Sequence, residues 1–268
     1  MSNGAELRAK MYGEDDLSSI PVFAGGFINF GYWRDIPLGA EDITVEERVR
    51  SQLDLYRHVY GAVGVGGADR VVEVGSGLGI GAAWAWRELG AGEVHGVDLS
   101  AEQVGRARER NAEAIADAAG RLTFRQGPAT AIPFPDASAD VVVSIEAAQH
   151  FDDLPGFVAD AHRVLRPGGR LAVTTFFLAD ATKAGVLSAR LRTFADGVDL
   201  EHPLPTFLSH LEDSGFTGVS VESIGEHVWP HLDRWIAQLG ATGDHWTRRW
   251  LPSYREGVLD YYVITADA

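Results

Sequence analysis

The 268-residue chain contains no cysteine. That absence removes disulfide frameworks, thiol nucleophiles, cysteine-ligated zinc and cysteine-ligated iron–sulfur clusters, and with the last any radical enzyme built on a three-cysteine cluster. Positive charge is scarce: 23 Lys+Arg against 38 Asp+Glu leave a formal net charge of −15. A field of that sign repels a phosphate backbone, and no long Lys/Arg run offsets it, so nucleic acid is not an expected partner. No run of 18 apolar residues suits a membrane span. The opening stretch, residues 1–17, is polar and acidic and lacks the apolar core of a signal peptide, so the expected setting is cytoplasmic. Internal repeats, low-complexity tracts and Pro-rich linkers are also missing.

What remains is an ordinary folding composition, 46% hydrophobic and 23% charged, of a length that favours one large domain. From Arg70 to Phe177 the chain reads as strands alternating with helices. Arg70 to Val74 and Asp140 to Ile145 are apolar runs without alternation, as expected for parallel strands covered on both faces. Glu93 to Val97, Leu122 to Gln126 and Arg170 to Phe177 complete five strands. Helices are expected over Gly79–Leu89, from a capping box at Ser100 to about Ala118, and over Pro155–Leu165. Such an alternation predicts a parallel sheet with right-handed crossovers. Beyond it, Leu178–Ala195 and Thr206–Ser214 read as helices and Phe216–Ser223 as a strand. Trp229–Tyr254 reads as broken helix and Leu259–Thr265 as a last strand. Arg48–Val59 reads as a helix leading into the core.

Glu73-Val74-Gly75-Ser76-Gly77-Leu78-Gly79 follows the first strand and opens a helix. Glycines there let a ligand approach the backbone, and the helix N-terminus offers free N–H groups. Asp98 closes the second strand about 20 residues on, where a carboxylate accepts both hydroxyls of a ribose. Together they read as a nucleoside site. The dinucleotide fingerprint G-x-G-x-x-G fails from Gly75, because Ile80 holds its third glycine position. It is recovered only by sliding to Gly77, Gly79 and Ala82, which leaves Glu73 unexplained.

The Glu-x-Gly-x-Gly-x-Gly order resembles the first motif of class I S-adenosylmethionine-dependent methyltransferases. Ile132-Pro133-Phe134-Pro135-Asp136 before the fourth strand, Arg166-Pro167-Gly168-Gly169 before the fifth, and Ser214-Gly215-Phe216 before the sixth are similar to that family's later segments. The resemblance implies an α/β fold with a Rossmann-like, seven-stranded, mostly parallel sheet and an antiparallel last strand. It implies an N-terminal helical cover (1–69), a cofactor-binding core (70–177), and cap helices with the last strands (178–268), all in one domain. S-adenosylmethionine is the implied cofactor and S-adenosylhomocysteine the product. Glu73, Gly75, Gly77 and Gly79 would cradle the amino-acid end, Asp98 the ribose, and Leu99 and the Ala129 amide the adenine. One departure stands out: Pro128 occupies the position where the family commonly carries an adenine-contacting aspartate.

Phe27 to Trp33 resembles the Gly-Tyr-Trp segment of small-molecule members, which places Tyr32 near the methionine portion of the cofactor. The family's acceptor site lies at the end of the fourth strand. There His150 is the candidate general base, since an imidazole titrates near neutrality, and Glu146 a candidate catalytic and cofactor contact. Gln149, His150, Phe177 and Trp229 are candidate acceptor contacts. Asp152-Asp153 reads as a helix cap, and no metal is expected. The implied reaction is methyl transfer to an oxygen of a small secondary metabolite. Carbon or nitrogen acceptors are the alternative, as are a non-methylating cyclase or binding protein on the same fold and, ranked last, a nicotinamide oxidoreductase. The acceptor's identity and the oligomeric state are not legible.

Overall fold

Valine-rich runs without alternation form the centre of the sheet in the computed structural model. The structure describes residues 3–13, 15 and 17–268. Met1, Ser2, Glu14 and Asp16, part of the opening stretch read for its polarity, lie outside the described residues. The strands are β1 (Arg70–Val74), β2 (Glu93–Asp98), β3 (Leu122–Gln126), β4 (Ala139–Ile145), β5 (Leu165–Leu178), β6 (Thr217–Ser223) and β7 (Leu259–Asp267). They form one seven-stranded sheet in the order β3-β2-β1-β4-β5-β7-β6. β1 to β5 pair in parallel, and β7 runs antiparallel to both β5 and β6.

Both faces of the sheet are covered, which is why its strands do not alternate. On one face Val71, Val94, Val141, Val143 and Phe176 join a core with Tyr56 and Tyr60. On the other, Val72, Val97, Val142 and Phe177 pack against Phe157 and Phe207. Strand order reverses at β1, which has β2 on one side and β4 on the other. Ligands bind at such a switch point, outside the C-terminal ends of the strands.

The helices are α1 (Asn3–Tyr12), α2 (Val45–Ala62), α3 (Ile80–Trp84, continued by a π-helical turn Ala85–Leu89), α4 (Ala101–Arg110), α5 (Ala112–Ala118), α6 (Leu154–Val164), α7 (Arg192–Ala195), α8 (Leu204–Asp213), α9 (Trp229–Gln238) and α10 (Trp250–Arg255). Thr44 and Glu47 form a full capping box at α2. Ser100 caps α4, but the helix expected to reach Ala118 breaks at Asn111, whose amide donates to Leu78 O and Ala107 O. The helix expected over Leu178–Ala195 does not form. That stretch holds a 3₁₀ turn, Ala181–Lys183, and the short α7. Asp180 caps the turn, Gly185 takes φ +83°, and Glu201 collects the N–H groups of Gly185 and Ser188. Side-chain acceptors thus satisfy backbone donors that a helix would have used.

The irregular segment before α2 needs donors for its carbonyls, and α2 supplies them. Arg48, fully buried, donates to Val22 O, Asn29 O (2.7 Å) and Phe30 O (3.0 Å). Gln52 adds a bond to Phe27 O. This pins the Phe27–Trp33 stretch over the sheet. Among the described residues no helix is long and apolar enough to cross a membrane.

Candidate active site

The three loop glycines serve three different ends. All are left-handed, at φ +79° (Gly75), +51° (Gly77) and +69° (Gly79). A Cβ on Gly75 would stand 2.2 Å from Ala147 Cβ, so the end of β4 abuts the loop. A Cβ on Gly79 would strike the Phe124 ring at 2.2 Å. A Cβ on Gly77 would meet no heavy atom within 4 Å, so this glycine borders an open space rather than a close contact. Asp98 stands beside that space: Oδ2 accepts from the Gly77 N–H (2.8 Å) and Oδ1 from the Ser100 N–H (2.9 Å). Burial pushes its carboxyl upward, against those backbone bonds. Leu99 is a large apolar side chain left 70% exposed next to it. The Gln126 amide donates to Leu99 O, and the Ala129 N–H has no hydrogen-bond partner among the described residues. An open cradle, a ribose acceptor and an uncovered apolar surface fit an adenosyl cofactor, with Pro128 exposed beside them.

Glu73 lies beneath this cradle, 1% exposed. It accepts from Tyr60 OH (3.3 Å) and the Ala82 N–H, so it braces the first turn of α3, which has no side-chain cap of its own. Burial, outweighing those bonds, pushes it up to about 8 from 4.5. The unfolded chain releases this proton in the ordinary carboxylate range, whereas the folded chain holds it. The stability this contributes is full below that range, falls as pH rises, and is gone above about 8. Wild-type unfolding free energy is therefore expected to fall more steeply over this window than that of Glu73→Gln in urea titrations. Parallel curves would remove Glu73 as the cause.

The residues after β4 converge on the switch point. Glu146 sits at φ +47°, a left-handed conformation uncommon for a side-chain-bearing residue. Its Oε1 accepts from the Phe30 N–H and from Tyr261 OH, each at 2.5 Å. Burial raises its carboxyl to about 7, opposed by those two bonds and by the charge of Arg48. Gln149 is 4% exposed and bonded on both sides, donating to Glu146 O and accepting from Thr175 Oγ1. It shapes the β4 turn. His150 is fixed by its neighbours. Nδ1 lies 2.9 Å from Val198 O, which only accepts, so Nδ1 carries the hydrogen. Asp199 Oδ1 is 3.3 Å from the same nitrogen. Nε2 therefore presents its lone pair, toward Tyr12 OH at 2.8 Å.

Tyr12 and Asp199 were not singled out in the sequence. Asp199 is buried, and burial raises its carboxyl while His150 opposes the rise. The Tyr12 phenol is pushed far above its ordinary range, chiefly by burial and then by Asp199, Glu146 and Asp98. That set of neighbours places α1 over the switch point. Arg8 fastens α1 to Gly197 O (2.6 Å) and Asp152, and Arg106 of α4 donates to Gly13 O (2.6 Å). Asp153 caps α6, as its position suggested.

Tyr32 is placed elsewhere. Its ring stacks on His58 (4.4 Å) and meets His227 edge-on. The member of this segment that reaches the site is Phe30, through its backbone N–H. Beside Glu146 stands an aromatic wall: Trp229 stacks on Trp250 (5.3 Å), with Phe30, Phe176 and Tyr261 around them. Trp229, expected to contact the acceptor, is a buried member of this wall. Phe177 is not: it packs on Phe207 and Tyr262 on the far face of the sheet, and its neighbour Phe176 joins the wall, because strand side chains alternate. Trp250 joins the wall, while Trp246 packs at His245. Among the described residues no three His, Asp or Glu side chains are grouped as metal ligands. His227 and His231, four apart, pack instead on Tyr32 and Trp33.

A nucleoside cradle and a buried acid–base cluster at the switch point of a 3-2-1-4-5-7-6 sheet define a Rossmann-like transferase. Comparison with known proteins makes the class specific. The family described as "Methyltransferase domain" matches residues 72–173. The chain is 30% identical over 247 residues to erythromycin 3''-O-methyltransferase of Saccharopolyspora erythraea, covering 89% of this chain and 76% of that one. It is 35% identical over 111 residues to 27-O-demethylrifamycin SV methyltransferase of Amycolatopsis mediterranei, 41% of each chain. The fold superposes on geranyl diphosphate methyltransferase with a TM-score of 0.81 at 21% identity, covering 98% and 99% of the two chains. It also superposes on the 4+2 cyclase SpnF with a TM-score of 0.71 at 19% identity, covering 98% and 94%. At those identities the likeness is one of fold. The chain belongs to the class I S-adenosylmethionine-dependent methyltransferases, and S-adenosylmethionine is its cofactor.

Proposed function

We propose that this enzyme methylates an oxygen of a small, largely apolar acceptor such as a ring-bearing or polyketide-like natural product. The observation that carries the reading is the state of His150. With Nδ1–H held by Val198 O and backed by Asp199, the Nε2 lone pair, which now meets Tyr12 OH, is the one that can take a hydroxyl proton. The O-methyltransferase named above, similar over most of the chain, supports the choice of oxygen. When bound, the cofactor supplies an activated methyl group and a neutral leaving sulfide. The residues supply the rest. Gly77 leaves room for the cofactor's amino-acid end while Gly75 and Gly79 let the loop close on Ala147 and Phe124, Asp98 would hold the ribose, and Leu99 and the Ala129 N–H would face the adenine. Trp229, Phe176 and Trp250 form the buried apolar wall that backs the acceptor end of the site. Its hydroxyl replaces the Tyr12 phenol at Nε2, and α1 excludes water above the site. Proximity and alignment then contribute alongside the base.

The test is transfer from methyl-labelled cofactor into a pooled extract of hydroxylated small molecules, read by mass spectrometry with S-adenosylhomocysteine counted alongside. Fragmentation that places the label on oxygen is the expected result. A label on carbon or nitrogen would overturn the assignment of the accepting atom. No S-adenosylhomocysteine over a broad acceptor pool would favour a non-methylating role, the reading to which Pro128 lends weight.

A further inference from the structure

The site contains one half-buried acid with an oxygen left unpaired. Asp98 is engaged through both oxygens by backbone N–H groups. Asp199 faces the His150 imidazole, with Arg8 among the charges that favour its ionised form. Glu146 differs: both of its donors, the Phe30 N–H and Tyr261 OH, go to Oε1, and Oε2 has no hydrogen-bond partner among the described residues. Arg48 lies beyond ion-pair reach of it, its guanidinium taken up by the carbonyls of Val22, Asn29 and Phe30. The carboxylate also sits at a seam. On one side, the next residue, Ala147, lies against Gly75 of the cofactor loop. On the other, its donors Phe30 and Tyr261 belong to the aromatic wall. A left-handed φ of +47° holds it there, and such backbone strain persists where the surroundings over-determine it.

We infer that Glu146 is the counter-charge for the cofactor's sulfonium and gives the enzyme its preference for the cationic cofactor over the neutral product. The bond broken in transfer is C–S, and its electron pair stays on sulfur, so the positive charge leaves the cofactor with the methyl group. In its ionised form, which a neighbouring cation favours against the effect of burial, this carboxylate would attract the substrate and has nothing to attract in the product. Loss of the charge then loosens the product, which limits inhibition by S-adenosylhomocysteine. The inference rests on the family's cofactor and stands whichever atom accepts the methyl group.

The experiment is calorimetric binding of S-adenosylmethionine, S-adenosylhomocysteine and sinefungin, whose amine restores a positive charge, to the full chain without acceptor. In the wild type both cationic ligands are expected to bind at least about tenfold more tightly than S-adenosylhomocysteine. In Glu146→Gln the two cations weaken by about tenfold and S-adenosylhomocysteine is unchanged, which also shows that the variant is folded. Equal weakening of all three ligands, or none, would overturn the inference. So would a wild type that binds the cationic ligands no better than the neutral one, a comparison that needs no variant to fold. An acceptor methylated on carbon would sink the proposed oxygen chemistry and leave this result standing.

Discussion

Replacing His150 with alanine is expected to slow methyl transfer by about 10²–10⁴-fold, the range for one positioned general base, with cofactor affinity unchanged. The two halves of that expectation come from different contacts. The imidazole touches Val198 O, Asp199, Gln149 and Tyr12, and among the described residues no hydrogen bond joins it to the glycine loop or to Asp98. His150 also receives the phenol that docks α1 over the site, so its removal disturbs closure as well as proton transfer. Tyr12→Phe separates the two. It deletes the same hydrogen bond and leaves the base, and one hydrogen bond between neutral groups is worth about 1 kcal/mol, or about fivefold. Asp199→Asn should fall between them, because it keeps an acceptor beside Nδ1 but loses the charge that favours the imidazolium. Single-turnover rates with labelled cofactor, together with binding calorimetry, give both quantities. A wild-type rate in His150→Ala would remove the base. Equal losses in His150→Ala and Tyr12→Phe would assign the effect to closure.

The cradle was legible in the sequence and the acid–base cluster only in part, for a physical reason. Everything that makes the cradle lies within about one βαβ unit: the apolar run of β1, three glycines and the acid ending β2. His150 could be read from its place after β4. Its partners could not, since Tyr12 is 138 residues away and Val198 48. The polar stretch holding Tyr12 gave no periodicity to read. Phe176 and Phe177 show another limit. In a strand buried on both faces the pattern gives no phase, so it does not say which phenylalanine faces the ligand side. The segment before α2 shows a third: its contact with Glu146 is a backbone N–H at Phe30, which no side chain advertises. Over Leu178–Ala195 helix propensity misled, because Asp180 and Glu201 offered the backbone better acceptors.

Replacing Asp98 with alanine is expected to weaken cofactor binding by about 10–10²-fold. A carboxylate has about four acceptor sites. Three are drawn on by the backbone N–H groups of Gly77, Ser100 and Leu99, which leaves one for a ribose hydroxyl. A bond to a charged acceptor is worth about 1.5–3 kcal/mol, which sets the range. The variant also releases the Gly77 N–H, so slackening of the loop must be told apart from loss of the sugar contact. Gly77→Asn does this from the other direction, since asparagine is among the side chains that tolerate a left-handed φ of +51°. Asp98 is kept, but the new side chain enters the space that Gly77 leaves open. Both variants should weaken S-adenosylmethionine and S-adenosylhomocysteine alike, because ribose and backbone contacts do not sense the charge on sulfur. That symmetry separates them from Glu146→Gln, where the cation alone should suffer. An Asp98→Ala protein that binds both ligands normally would show that the cradle holds its ligand without the ribose acid. The exposed Leu99 and the loop amides would then have to carry the adenosyl group.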